Sequence, residues 1–349
     1  MRDGRGRGDH CEVRQTVERR SRGGSQWLRR ATAGVFAVAA ILAAATVTAA
    51  DPGGIGPPDV PTQPGPPQPD HLAAALYQRQ HRDVTPSGTN DFGCVPDPER
   101  PRPVILAHGT DSSAYSDWSA IGPRLAAAGF CVFALNYGGA PGAQTYGTED
   151  LLASAAQIGV FVDRVRAATG ADKVDLVGFS QGATVTRYYV NKLGGAPNVG
   201  HWVGLASPTY GGVMYGLVPV AQAIPGLLDA VARVTSLAAV QQAQGSEVML
   251  AVNAGGDTVP GVEYTTVGSR VDEMIQPFEN IALRGPGARN LALQDLCPQN
   301  LTGHFHMVYD PFVADLLLTV LDPGHAPEPV CEPVPLGTGI PQVIIAGNS

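Results

Sequence analysis

The 349-residue sequence predicts an α/β fold: a mostly parallel sheet with helices on both faces and a small apolar, cap-like insertion. Three observations predict it. Short β-branched and apolar runs alternate along the chain with longer helical patterns. One strand-to-helix junction carries Gly178-Phe179-Ser180-Gln181-Gly182, a Gly-x-Ser-x-Gly turn that requires a strand before it and a helix after it. The hydrophobic content of 44% lets one domain of roughly 200 to 250 residues bury a large core, with appendages left over.

The chain opens on a leader. Residues 1–30 hold nine arginines against four acids, and Arg29-Arg30 precede an uncharged apolar run, 31–50, that closes on small residues before Asp51. This reads as a signal peptide over 1–50. A retained anchor is the competing expectation, since about 20 apolar residues can span a bilayer. Residues 51–84 are rich in Pro and Gly and are expected to form an extended linker, with a short helix over 71–80 lying on the body. The catalytic domain is expected over 85–325 and an irregular tail over 326–349.

Within the domain, Val104-Ile105-Leu106-Ala107 is a buried strand that breaks into His108-Gly109-Thr110. Ser116-Asp117 can cap a helix running to Ala128, closed by Gly129, and residues 130–135 are the next strand. After a glycine-rich loop, Leu151, Leu152, Ala155, Ile158, Phe161, Val162 and Val165 mark a helix over 149–169. Val174, Leu176 and Val177 form the strand before Ser180, and a helix follows to about Asn191. Residues 201–206 read as another strand. Residues 211–245 then interrupt the alternation with an apolar, nearly uncharged stretch: either a cap over the site or a packed core helix. Strands are expected at 261–267 and 290–294, and Asp310-Pro311 starts a last helix to Leu321, with Asp310 as its cap.

Gly-x-Ser-x-Gly alone is weak, since this composition yields about 0.2 matches by chance. Its context supplies the weight. Any Cβ at 178 or 182 would press helix backbone on strand backbone, and the helix start aims the Gln181 N–H at charge developing near Ser180. A serine hydroxyl needs an imidazole to take its proton and a carboxylate to orient the imidazole, here in the chain order Ser, acid, His. His304 follows the last strand beside Gly303 and is the preferred base. His306 is read as packing, His325 lies in the tail and His108 precedes the serine. The position after the strand ending near Val267 offers Asp272 and Glu273, of which Asp272 is the preferred acid; Asp257, the runner-up, sits in a turn before that strand, and Asp295 is a minor option. Thr110 N–H, after the first strand, is the second oxyanion donor.

These segments, with Cys131-Val132-Phe133-Ala134-Leu135-Asn136-Tyr137-Gly138, Asn253-Ala254-Gly255-Gly256-Asp257-Thr258-Val259-Pro260-Gly261 and Asp272-Glu273, resemble the α/β-hydrolase superfamily, and more narrowly the secreted class 2 lipases of bacteria. The resemblance covers about residues 85–320. It implies a lipase or carboxylesterase acting on acylglycerols, with no metal or organic cofactor, with Asp272 as acid and His304 as base. The chain departs from that pattern at Gly303, where an acidic residue is expected before the histidine. Ser180-Gln181-Gly182 is also similar to cutinases, which brings polymeric esters within reach. An acyltransferase with the same triad, and an exported binding protein on an inactive scaffold, are the alternatives.

Beyond the leader the chain carries 14 basic and 27 acidic residues, which excludes a nucleic-acid partner. The expected partner is an ester or lipid, at a lipid–water interface. No permanent membrane span remains if the leader is cleaved. Cys11 falls in the leader, leaving Cys94, Cys131, Cys297 and Cys331, an even set suited to an exported protein. Pairing by proximity in sequence gives Cys94–Cys131 and Cys297–Cys331.

Overall fold

The computed structural model describes residues 56–212, Ala223 and residues 236–347. All lie in a unit that runs from Gly54 to Ser349. The expected leader and most of the expected cap over 211–245 fall outside the described residues.

Two short strands, β1 (Gln63–Gly65) and β2 (Val84–Pro86), pair in parallel around α1 (His71–Gln80). Asp70 caps that helix by accepting from Ala73 N at 2.9 Å. Residues 56–84 therefore differ from the extended linker expected over 51–84. Proline cannot donate to a ladder, but its neighbours can be held by other acceptors. Thr62 donates through N and Oγ1 to the Asp83 carboxylate, Asp59 bridges Asn136, and Tyr115 Oη donates to the Pro66 carbonyl at 2.6 Å.

Among the described residues the main sheet has six strands: β3 (Val104–Ala107), β4 (Val132–Leu135), β5 (Val174–Phe179), β6 (Val199–Leu205), β7 (Glu263–Gly268) and β8 (Arg289–Ala292). Their order is β4-β3-β5-β6-β7-β8, every pair parallel. The described helices that follow are α2 (Ala114–Trp118), α3 (Ile121–Ala127), α4 (Leu151–Thr169), α5 (Gln181–Lys192), α6 (Leu237–Gln241), α7 (Glu247–Asn253), α8 (Leu293–Leu296), α9 (Pro311–Leu321) and α10 (Ile340–Gly347).

Alternation along β3 divides the core into two layers. Val104 and Leu106 join Leu125 of α3 and Leu317 of α9, whereas Ile105 and Ala107 join Phe161 of α4 and Val185 of α5. That period-two split, with apolar residues on both faces, is what a parallel sheet covered twice requires. The helix expected from Ser116 to Ala128 is broken into α2, capped by Ser113, and α3. Pro123 has no N–H and is tolerated only near a helix start, so the chain restarts at Ile121. The tail expected to be irregular ends in α10. Both disulfides, Cys94–Cys131 and Cys297–Cys331, form with Cα separations of 5.9 and 5.4 Å.

Candidate active site

β5 ends at Phe179 and α5 begins at Gln181, so Ser180 alone makes the turn, with φ +50° and ψ −117°. For a residue with a side chain this is strained backbone, and the two glycines make it possible. A Cβ on Gly178 would meet the Gly182–Ala183 backbone, and one on Gly182 would meet the Ala107 carbonyl of β3, both far inside contact distance. Helix start, strand end and β3 thereby close on one another beneath the serine.

The carboxyl ends of β7 and β8 bring the other two groups. His304 Nε2 lies 3.1 Å from Ser180 Oγ, and its Nδ1 lies 3.0 Å from Asp272 Oδ2. Asp272 Oδ1 accepts from Met274 N at 2.8 Å and Ile275 N at 2.7 Å, which locks the carboxylate. A carboxylate only accepts, so Nδ1 carries the proton and Nε2 turns its lone pair to the serine hydroxyl. Burial disfavours the charged imidazole, but Asp272, Glu273 and Asp117 together outweigh it and hold His304 above its usual pKa of 6.5.

The other sequence candidates lie elsewhere. Asp257 accepts from Tyr210 Oη, Arg284 N and Gly285 N, a buried brace between loops. Asp295 pairs with Arg270 at the surface. Burial pushes His108 down to about 4, and it stacks on Tyr137 with centroids 4.2 Å apart. His306 is likewise lowered by burial, and exposed His325 pairs with Asp322.

Thr110 lines the cavity beside Ser180, and Gln181 opens α5. The Thr110 hydroxyl accepts from Gln181 Nε2 at 3.1 Å and from Gln242 Nε2 at 2.8 Å. Asp117 holds the same loop, accepting from Gly109 N at 2.7 Å and Ser112 Oγ at 2.7 Å. Its pKa is lowered: burial works against the charge, but His71, Ser112 and Gly109 favour the carboxylate more.

Glu273, the acid passed over in favour of Asp272, lies against the main chain of the base, a contact the sequence did not suggest. Its Oε2 accepts the His304 backbone N–H, and its buried Oε1 has no hydrogen-bond partner among the described residues. A Cβ on Gly303 would collide with this carboxylate. The acidic group missing from position 303 is thus supplied across the loop by Glu273. The signal available in the sequence was the glycine itself.

A cavity of about 480 Å³ opens on Ser180 and His304. The profile of the family described as Lipase (class 2) matches residues 101–308, more than half of the chain. The chain belongs to the class 2 lipase family. Among solved structures, it is similar to lipase B of Aspergillus fumigatus at 21% identity and a TM-score of 0.54, over 70% of this chain and 56% of that one. It is also similar to lipase BlEst2 of Bacillus licheniformis in its propeptide form, at 18% identity and a TM-score of 0.51, over 69% of this chain and 54% of that one. The chain thus spans little more than half the length of either, and the likeness is one of fold, the α/β-hydrolase fold. No curated protein matches it. In this class 2 lipase family member, the matched span holds Thr110, Ser180, Asp272 and His304, while α1 and α10 lie on either side of it.

Proposed function

We propose that this protein is an exported serine ester hydrolase that cleaves acylglycerols or related carboxylic esters through an acyl-enzyme on Ser180. The observation that carries this reading is the hydrogen-bonded chain from Ser180 through His304 to Asp272 at the wall of a cavity. Ser180 Oγ attacks the ester carbonyl while His304 Nε2 takes its proton. The oxyanion is held by the N–H groups of Gln181 and Thr110, and the strained turn at Ser180 keeps Oγ forward of the helix start. Collapse of the tetrahedral intermediate breaks the ester C–O bond, and His304 returns the proton to the leaving alcohol. Water then repeats the sequence on the acyl-enzyme and frees the acid. Asp272 keeps the imidazole in the required tautomer throughout.

Export is supported by the two disulfides, a feature of oxidising compartments. Among the described residues no helix is long and apolar enough to cross a membrane.

The test is hydrolysis of p-nitrophenyl esters from acetate to palmitate. Ser180→Ala and His304→Ala are each expected to lower kcat by about 10⁴-fold or more, Asp272→Asn by about 10⁴-fold. Wild-type turnover that survives Ser180→Ala would reject the assignment. A fluorophosphonate probe that labels wild type and not Ser180→Ala would separate an intact nucleophile from a binding protein on an inactive scaffold.

A further inference from the structure

We infer that α1 and α10 form a wall of the ester pocket that sets how long a hydrocarbon chain the enzyme accepts. The inference rests on the ester hydrolase reading above and adds its selectivity. The cavity at Ser180 is lined by Ala75 of α1 and by Val343 and Ala346 of α10, beside Phe305 and Val308. These two helices lie outside the span shared with the class 2 family, residues 101–308. Ser180, Asp272 and His304 therefore lie within the matched span, whereas Ala75, Val343 and Ala346 on this side of the pocket come from segments before and after it.

α10 is fixed in place rather than hanging as a tail. Cys297–Cys331 ties down the segment before it, Val334 bridges Asn300, and Leu301 N donates to Val334 O at 3.0 Å. At its start Gly339 packs on the Phe305–His306 backbone, where a Cβ would lie 2.8 Å from the Phe305 carbonyl. At its end the Arg79 guanidinium of α1 donates to the Ala346 carbonyl. One end is thus seated on the turn that carries His304, and the other is clasped by α1. A wall held at both ends defines a pocket dimension.

The chemistry of the wall selects the occupant. Ala75, Val308, Val343 and Ala346 are small and apolar and offer a chain neither donor nor acceptor. Polar groups of the same lining are engaged within the protein: Gln78 Oε1 accepts from Ser116 Oγ at 2.7 Å, its Nε2 donates to the Gln144 main-chain carbonyl at 3.1 Å, and Arg79 donates to the Ala346 carbonyl. An unbranched hydrocarbon chain fits such a surface, and each methylene brought against it is worth about fourfold in binding. That chain can belong to the acyl group or to the alcohol of the ester.

The test uses the full chain with Val343→Trp, Ala346→Trp and Val343→Ala, assayed on two substrate arms. One arm varies acyl length in p-nitrophenyl esters, the other varies alcohol length in alkyl butyrates. Filling the wall should lower the long-to-short ratio of kcat/KM by at least tenfold in one arm, which names the source of the chain. Val343→Ala, which removes bulk and leaves the fold intact, should raise the same ratio by about twofold to fourfold. Ratios unchanged in both arms, with folding verified by circular dichroism, overturn the wall. Absence of ester hydrolysis by wild type instead overturns the hydrolase reading, and the wall falls with it.

Discussion

Glu273 and Gly303 show how one residue's identity can be dictated by another thirty positions away in the chain. The Glu273 carboxylate occupies the space above Gly303, accepts the His304 N–H and adds a second negative charge near the imidazole beyond that of Asp272. The base must be neutral to accept the serine proton, so kcat/KM rises with pH through the His304 pKa, and that rise is expected to centre above 6.5. Glu273→Gln keeps an oxygen for the backbone N–H but removes the charge. Its acid limb should therefore move to lower pH, read from kcat/KM profiles of wild type and variant; an unmoved limb would show that Glu273 contributes shape alone. Gly303→Ala drives a methyl into the carboxylate and displaces His304. About 10²-fold of kcat is at stake for a shift near 1 Å, and a double variant, Gly303→Ala with Glu273→Ala, should recover part of it.

At the scale of elements, the strand β5, the turn at Ser180 and the helix α5 act as one piece, because α5 starts within contact of β3. Gly182→Ala sets a Cβ against the Ala107 carbonyl, and neither backbone can yield without moving the sheet. Overpacking of this kind costs about 3 kcal/mol, to be read as a drop in the denaturation midpoint by urea titration. A stable, active Gly182→Ala would mean that the turn relaxes freely. Elements of this sort were legible in the sequence because their signals are local. Buried strands appear as β-branched runs, α4 as a 3.6-residue period, and α9 as an Asp-Pro start. β1, β2 and α10 were illegible for the opposite reason. They are short, they sit among prolines, and what stabilises them lies far along the chain: Asp83 for Thr62, Asn136 for Asp59, Phe305 for Gly339. The hydrogen-bonded Ser180, His304 and Asp272 could be read from chain order and strand ends, and Glu273 stood there as the alternative acid, whereas its hold on the His304 main chain needed positions 273 and 303 to be brought together.

For the whole molecule, the two disulfides make a matched pair of experiments. They close loops of nearly equal length, with sequence separations of 37 and 34 residues. If their effect is chiefly to restrict the unfolded chain, each should contribute about 4 kcal/mol of stability, and the double variants Cys94→Ser/Cys131→Ser and Cys297→Ser/Cys331→Ser should lose similar amounts in chemical denaturation. Their effects on turnover should differ. Cys94–Cys131 ties the approach segment to the start of β4, on the far side of β3 from β5 and remote from the strand ends that carry Ser180 and His304. Cys297–Cys331 ties the tail that leads into α10 and so bears on the pocket wall. The second variant alone is therefore expected to flatten the chain-length profile, measured well below its unfolding transition. Equal stability losses with equal profiles would detach the tail from selectivity. Unequal stability losses would show that the native surroundings of each bridge outweigh the entropy of the loops they close.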